Sequence, residues 1–157
     1  MPGPLARWIL SRVVRSGLAF EAEAIDLYRV LLEELRKSGS CDESLEGSLC
    51  HLLEEEETHR LVLLDAAAGK YSAEELEKIV GQHRYTGMDT LRPLEAGTLS
   101  RWSEELHAAL EQEEKTWVFY GNLRRMSKIP AVKRAFEVLA GMEKEHIDIL
   151  RKLLGRA

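Results

Sequence analysis

Cysteine is scarce in this chain: only Cys41 and Cys50 occur, without CxxC spacing, which excludes a cysteine-based metal cluster. A disulfide between them is possible in principle, but two free thiols in a reducing cytoplasm is the plainer expectation. A basic excess is also missing. Lys and Arg number 22 against 27 Asp and Glu, and no long basic arm offsets the formal charge of -5. That balance argues against a nucleic-acid partner. No stretch is long and apolar enough to span a bilayer, and Arg7, Arg12 and Arg15 break up the apolar residues near the N-terminus. The expectation is a soluble cytoplasmic protein with no membrane partner. Strand-like alternation is absent as well. The 157 residues suit a single domain spanning 1–157.

What is present is helical periodicity. A first helix is predicted from about Leu5 to Lys37, with an inward stripe of Val14, Leu18, Glu21, Ile25, Tyr28, Leu32 and Leu35. Gly39 suits its C-cap, and Asp42 suits the N-cap of the next helix. That second helix is predicted over Glu43 to Ala68. Its stripe is Leu45, Leu49, Leu52, Glu56, His59 and Leu63, broadened by Leu53 and Leu64. A third runs from Leu99 to Met126, with Trp102, Leu106, Leu110, Glu113, Trp117, Tyr120 and Leu123 or Arg124 on one face. Pro130 suits the first turn of a fourth helix that reaches about Leu154. Its stripe is Val132, Phe136, Leu139, Glu143, His146, Leu150 and Leu153.

The connections are short, long, short. Residues 69–98 form the long one, with a short helix expected over Ala73 to Val80 behind a Ser72–Glu75 capping box. An up-down bundle needs no such connection. The pattern predicts an all-α, antiparallel four-helix bundle with one long crossover between helices 2 and 3.

Each apolar stripe is interrupted near its middle by Glu21, Glu56 with His59, Glu113, or Glu143 with His146. Both Glu–His pairs are ExxH, and an i,i+3 spacing points both side chains the same way. The two halves repeat a Glu helix followed by an ExxH helix, and Tyr28 and Tyr120 each follow a stripe Glu by seven residues. These tyrosines either hydrogen-bond to the carboxylates or simply fill the core. Four carboxylates gathered in an apolar interior repel one another and resist ionisation unless cations neutralise them. Two imidazoles would add a nitrogen ligand for each of two metal ions. This donor set suits two Fe ions, with Mn possible; a Zn pair would have no redox role. Set against this is a solvated charged face. Glu57, Glu114 and Glu145 read as solvated or supporting groups, and His51, His83 and His107 fall off the stripes, as do Glu104 and Glu111.

The signature Glu21…Glu56xxHis59…Glu113…Glu143xxHis146 resembles the ferritin-like superfamily, especially its rubrerythrin and bacterioferritin branches, over about residues 8–154. The resemblance implies a non-haem di-iron centre in which Glu56 and Glu143 bridge and Glu21, Glu113 and both histidines are terminal. The Glu-x6-Tyr elements resemble rubrerythrin helices. Two departures stand out. The sequence has no rubredoxin-like pair of Cys pairs, so an internal one-iron electron donor is not expected. The extra carboxylate of rubrerythrin would fall at Leu110, which cannot ligate.

These readings imply an oxidoreductase that reduces H2O2 or O2, a rubrerythrin-like peroxidase supplied by an external electron donor. The alternative is a ferroxidase with Fe(II) as substrate, for iron storage or detoxification. A non-redox structural or interaction bundle is the third reading. A homo-oligomer, most simply a homodimer, is expected from lateral apolar residues including Trp8, Ile9, Val13, Leu106 and Trp117.

Overall fold

Four helices account for almost all of the described residues in the computed structural model, which describes residues 4–39, 42–68, 88, 90–128 and 130–156. They are α1 (Pro4–Lys37), α2 (Glu43–Ala67), α3 (Ala96–Met126) and α4 (Pro130–Leu153). Their boundaries follow local chemistry. Proline opens α1 and α4, where its missing N–H costs nothing. Asp42 caps α2, its Oδ1 accepting from the Leu45 backbone N–H at 2.9 Å. Gly39 ends the first hairpin turn at φ +69 and Gly155 follows α4 at φ +72, a left-handed conformation favourable for glycine. Arg36 and Lys37, Arg124 and Arg125, and Arg151 and Lys152 place positive charge on the last turns of α1, α3 and α4.

Side-chain pairs establish the directions of the helices. Arg36 meets Glu46 and Arg29 meets Glu57, so α1 and α2 run antiparallel. Tyr28 meets Glu113 and Tyr120 meets Glu21, so α1 and α3 also run antiparallel. Glu56 meets His146 and His59 meets Glu143, which makes α2 and α4 antiparallel. It follows that α2 and α3 point the same way, as a crossover topology requires. The chain entering α3 docks at the C-terminus of α4, where the Leu94 N–H donates to the Leu153 carbonyl at 2.9 Å and Leu91 and Leu94 are buried. The packing is densest within the pairs α1–α2 and α3–α4, with narrower α1–α3 and α2–α4 contacts. This is the crossover four-helix bundle that the connection lengths predict.

Two apolar clusters lie along the bundle. One contains Leu35, Leu45, Leu49, Leu106, Leu110 and Leu153; the other contains Val62, Leu63, Tyr120, Phe136 and Leu139. Each fully buried leucine contributes about 1.5–3 kcal/mol. The polar residues sit between the clusters, where neighbouring apolar layers offset the cost of holding them.

Two stripe positions, Trp117 and Leu64, differ from the periodic reading, and Leu106 differs from its lateral one. Trp117 is 41 % exposed, and Thr116 occupies its inward place. The step inward from Glu113 is three residues and then four to Tyr120, which carries Trp117 about 100° outward. Thr116 tolerates burial because its hydroxyl donates to the Gln112 carbonyl at 2.9 Å. Leu64 is exposed, since Val62 and Leu63 complete the inner face of α2. Leu106 is fully buried, so it belongs to the core and is unavailable to a lateral surface. The expected helix over Ala73 to Val80, together with Cys41 and His83, lies outside the described residues, as do the side chains of Ile9, Val13, Val14 and Val132. Cys50 is a half-buried free thiol.

Candidate metal centre

Each helix contributes its mid-stripe polar residue to one level of the bundle. Glu21 comes from α1, Glu56 and His59 from α2, Glu113 from α3, and Glu143 and His146 from α4. All six are at most 1 % exposed. The i,i+3 spacing of each ExxH pair sends both members inward from one helical face. The two imidazoles stack with centroids 4.9 Å apart.

The contacts divide the carboxylates into two kinds. His59 Nδ1 lies 2.9 Å from Glu143 Oε1 and 3.5 Å from Oε2 of both Glu21 and Glu56. His146 Nδ1 lies 2.8 Å from Glu56 Oε1, 3.5 Å from Glu113 Oε2 and 3.7 Å from Glu143 Oε2. Glu56 and Glu143 therefore touch both imidazoles. Glu21 touches only His59, and Glu113 only His146. The polar layer has two equivalent foci, each with one imidazole, one private carboxylate and two shared ones.

Electrostatics follows the same division. Burial, then the charges of Glu113, Glu143 and Glu21, pushes Glu56 well above the ordinary carboxyl value. Burial, with the charges of Glu113 and Glu21, does the same to Glu143. Burial also opposes ionisation of Glu21 and Glu113, but hydrogen bonding and the facing histidines outweigh it, so both are lowered. His59 is raised well above the ordinary value: burial opposes its charge, but Glu21 and Glu56 outweigh that penalty. The outcome is a cluster that retains protons on its shared carboxylates and charge on its private ones.

Two tyrosines close the layer. Tyr28 donates to Glu113 Oε1 at 2.7 Å, and Tyr120 donates to Glu21 Oε1 at 2.5 Å. Of the two roles open at the level of sequence, hydrogen bonding to the carboxylates is the one observed, and both rings are also fully buried. Burial and the adjacent carboxylates raise both phenols well above their ordinary value, so each keeps its proton.

Despite these contacts, Oε2 of Glu21, Glu56, Glu113 and Glu143 and Nε2 of His59 have no hydrogen-bond partner. Buried acceptors are rarely left so without cause. Glu56, His59, Glu143 and His146 each offer a ligand atom within 4.8 Å of the others. A buried two-Glu, two-His cluster able to chelate metal is present. The rubrerythrin family model matches residues 104–157, which carry Glu113, Glu143 and His146. The chain forms a four-helix bundle whose second half is similar to the rubrerythrin family. The matched segment covers most of α3 and all of α4, and the first pair supplies the symmetric half of the cluster. No curated protein and no solved structure matches the chain.

Leu110 packs in the apolar core, so among the described residues no extra carboxylate joins the layer one turn before Glu113. Family and cluster together support the general class of non-haem di-iron oxidoreductases. Among the described residues no helix is long and apolar enough to cross a membrane. The flanking acids lie elsewhere: Glu57 pairs with Arg29, Glu114 pairs with Arg151, and Glu104 and Glu111 are exposed. His107 is exposed, with Nδ1 2.7 Å from the Ser103 carbonyl. One further acid, Glu55, is buried where periodicity does not single it out. Hidden in the run Glu54–Glu57, it is only 4 % exposed, and its signal was an i,i+4 spacing from His51.

Proposed function

We propose that Glu21, Glu56, His59, Glu113, Glu143 and His146 hold two iron ions, with manganese as a possible substitute, and that the centre reduces H2O2 or O2. The observation that carries this reading is the division of contacts, in which each histidine Nδ1 meets one private and two shared carboxylates. Glu56 and Glu143 would bridge; Glu21 with His59 and Glu113 with His146 would complete either side. The unpartnered carboxylate oxygens fit this assignment, because a cation satisfies them where no donor does. Carboxylate and imidazole donors suit iron and manganese.

A bound pair of ferrous ions would supply the two electrons that, with two protons, reduction of one H2O2 to two waters requires. The chain's own groups set the conditions for that reaction. The apolar clusters on both sides exclude bulk water and keep the interactions of the layer strong. Tyr28 and Tyr120 hold Glu113 and Glu21 in orientation through their hydroxyl protons. A surface groove of about 580 Å³ is lined by Phe20 of α1 and by Glu114 and Phe119 of α3, the two helices that carry Glu21 and Glu113. An external electron donor would return the ions to the ferrous state.

The same ligands serve a ferroxidase, so assembly and turnover separate the two. In the test, the protein is loaded anaerobically with two Fe(II) per chain and mixed with H2O2 or O2 in a stopped-flow instrument. A peroxidase oxidises its iron much faster with H2O2 than free Fe(II) reacts, and turns over when a reductant is supplied. A hollow shell retaining many irons per chain favours ferroxidase and storage. Equal, negligible oxidation of bound and free iron points to the non-redox bundle. Trp8 is 58 % and Trp117 41 % exposed, which supports a homodimer that the same sample tests by its solution mass.

A further inference from the structure

The outer face of α3 carries a pattern that the buried centre does not use. Glu111, Lys115, Val118, Asn122 and Arg125 follow one another at alternating steps of four and three, so they form one seam along the helix. Glu111 and Lys115 lie two residues either side of Glu113, and Val118 and Asn122 lie two residues either side of Tyr120. Two residues amount to about 200° of rotation, so the seam points away from the bundle interior. Val118 at its middle is 52 % exposed, and Trp117 beside it is 41 % exposed. A hollow of about 340 Å³ on one flank is lined by Trp117 and Gly121, and one of about 580 Å³ on the other by Phe20 and Phe119. Among the described residues, a Cβ added at Gly121 would meet no atom within 4 Å, so the first hollow has room for a side chain. An apolar strip with a hollow on each side is a surface suited to being covered.

The order of charges along the seam selects what covers it. Glu111 precedes Val118 by seven residues, and Arg125 follows it by seven. Glu104 and Glu105 extend the acidic end, and Arg124 and Lys128 extend the basic one. A partner dominated by one sign of charge would meet its own sign at one end of this face. A second copy of α3 laid antiparallel across Val118 meets the opposite sign at both ends. Val118 then faces its own counterpart, Lys115 faces the Asn122 amide of the second copy, and Glu111 faces its Arg125. Twofold symmetry repeats the two polar pairs on the other side of the axis.

We propose that this face of α3 is a twofold interface in which a second copy of the chain packs antiparallel about Val118, with Trp117 of each copy seated over Gly121 of the other. The seam from Glu111 to Arg125 is about 21 Å long. Trp117 on one side and Phe20 and Phe119 on the other widen it, as the roughly 800 Å² per partner of a standard interface requires. The proposal rests on the homodimer stated above and gives it a contact face. It holds whether or not the buried centre carries redox chemistry.

The test measures the solution mass of the full chain by sedimentation equilibrium at roughly 0.1 mM, where micromolar association is nearly complete. The wild type is expected at twice the 17.8 kDa of one chain. Val118→Glu sets two like charges against each other on the axis and should raise the dimer dissociation constant about a hundredfold or more. Because Val118 is exposed, the variant should keep its helical circular dichroism. Glu111→Arg and Arg125→Glu should each weaken the dimer about tenfold, and the two together should restore it. Should Val118→Glu misfold, the charge-reversal set carries the test. A wild-type chain that stays monomeric overturns the proposal together with the homodimer. An assembly whose mass is unchanged by a folded Val118→Glu overturns this face alone, as does a paired reversal that fails to restore association. Iron oxidation is read separately in the stopped-flow experiment, so its failure leaves these outcomes untouched.

Discussion

Tyr28 on α1 donates its phenolic proton to Glu113 on α3 across a 2.7 Å hydrogen bond, joining residues 85 apart in sequence. Tyr120 and Glu21 repeat the relationship with the helices exchanged. These two bonds pin the register of α1 against α3, where packing is narrower than within the hairpins. Each is fully buried, and each acceptor is a carboxylate. Charge-assisted bonds contribute about 1.5–3 kcal/mol, and deleting only the donor leaves a buried acceptor exposed to the full cost of desolvation. Tyr28→Phe and Tyr120→Phe should each lower the unfolding free energy of the metal-free protein by about 2 kcal/mol, read from urea titrations with unchanged slope. A loss below about 0.5 kcal/mol would mean that the hydroxyls matter only as filler.

The pH dependence of the metal-free chain follows from the shared carboxylates. Glu56 and Glu143 have folded values well above the ordinary 4.5, so above that pH the native state holds protons that the unfolded chain releases. Stability therefore falls as pH rises from 4.5 through their folded values. His59 acts with the same sign: its contribution is full below 6.5 and is lost as pH climbs through its raised folded value. Glu21 and Glu113 have lowered values, and their contribution is lost only on acidification below 4.5. The metal-free melting temperature should decline as pH rises above the ordinary carboxyl value of 4.5, because the raised groups lose their protons in that direction. Metal replaces those protons, so the gap between loaded and metal-free melting temperatures should widen over the same range. A gap that narrows with pH would contradict the assignment of protons to Glu56 and Glu143.

Most of this site was legible because its elements are long and regular. An ExxH pair on a helix of 24 or 25 residues tolerates a boundary error of two residues without changing which way it points. The antiparallel crossover followed from connection lengths alone. Fine rotation was harder to read. Trp117 and Thr116 compete for one inward position, and hydrophobicity favours the tryptophan, yet the i−4 carbonyl of Gln112 satisfies the threonine hydroxyl and lets the smaller residue pack inside. Glu55 was obscured for a related reason. Within four consecutive glutamates, periodicity cannot separate a buried acid from its solvated neighbours; only the helix across from it does so.

Gly17 offers a steric probe of the same layer. A Cβ there would meet Leu63 Cδ1 at 3.2 Å and the Tyr120 hydroxyl at 3.4 Å. Gly→Ala within a helix ordinarily gains up to about 1 kcal/mol, and the Leu63 methyl is the mobile end of a side chain, so Gly17→Ala should be close to neutral. Gly17→Leu should cost about 1–3 kcal/mol by overpacking, and should push Tyr120 away from Glu21. Chemical denaturation measures the first effect. Weaker metal binding at the Glu21 half measures the second, and its absence would show that Tyr120 moves independently of the carboxylate.

The sharpest consequence concerns the inequality among the four central carboxylates. Glu56 and Glu143 face both imidazoles, whereas Glu21 and Glu113 each face one. Removing a shared ligand strips donors from both foci, so Glu56→Ala and Glu143→Ala should each abolish retention of two ions. Removing a private ligand damages one focus. Glu21→Ala should keep an ion beside His146, and Glu113→Ala should keep one beside His59. All four variants should retain their helical circular dichroism, because the apolar clusters above and below the layer are untouched. The counts are read by elemental analysis after desalting. Identical metal contents in Glu21→Ala and Glu56→Ala would refute the distinction between shared and private ligands, because only unequal positions around two foci make these otherwise similar truncations differ.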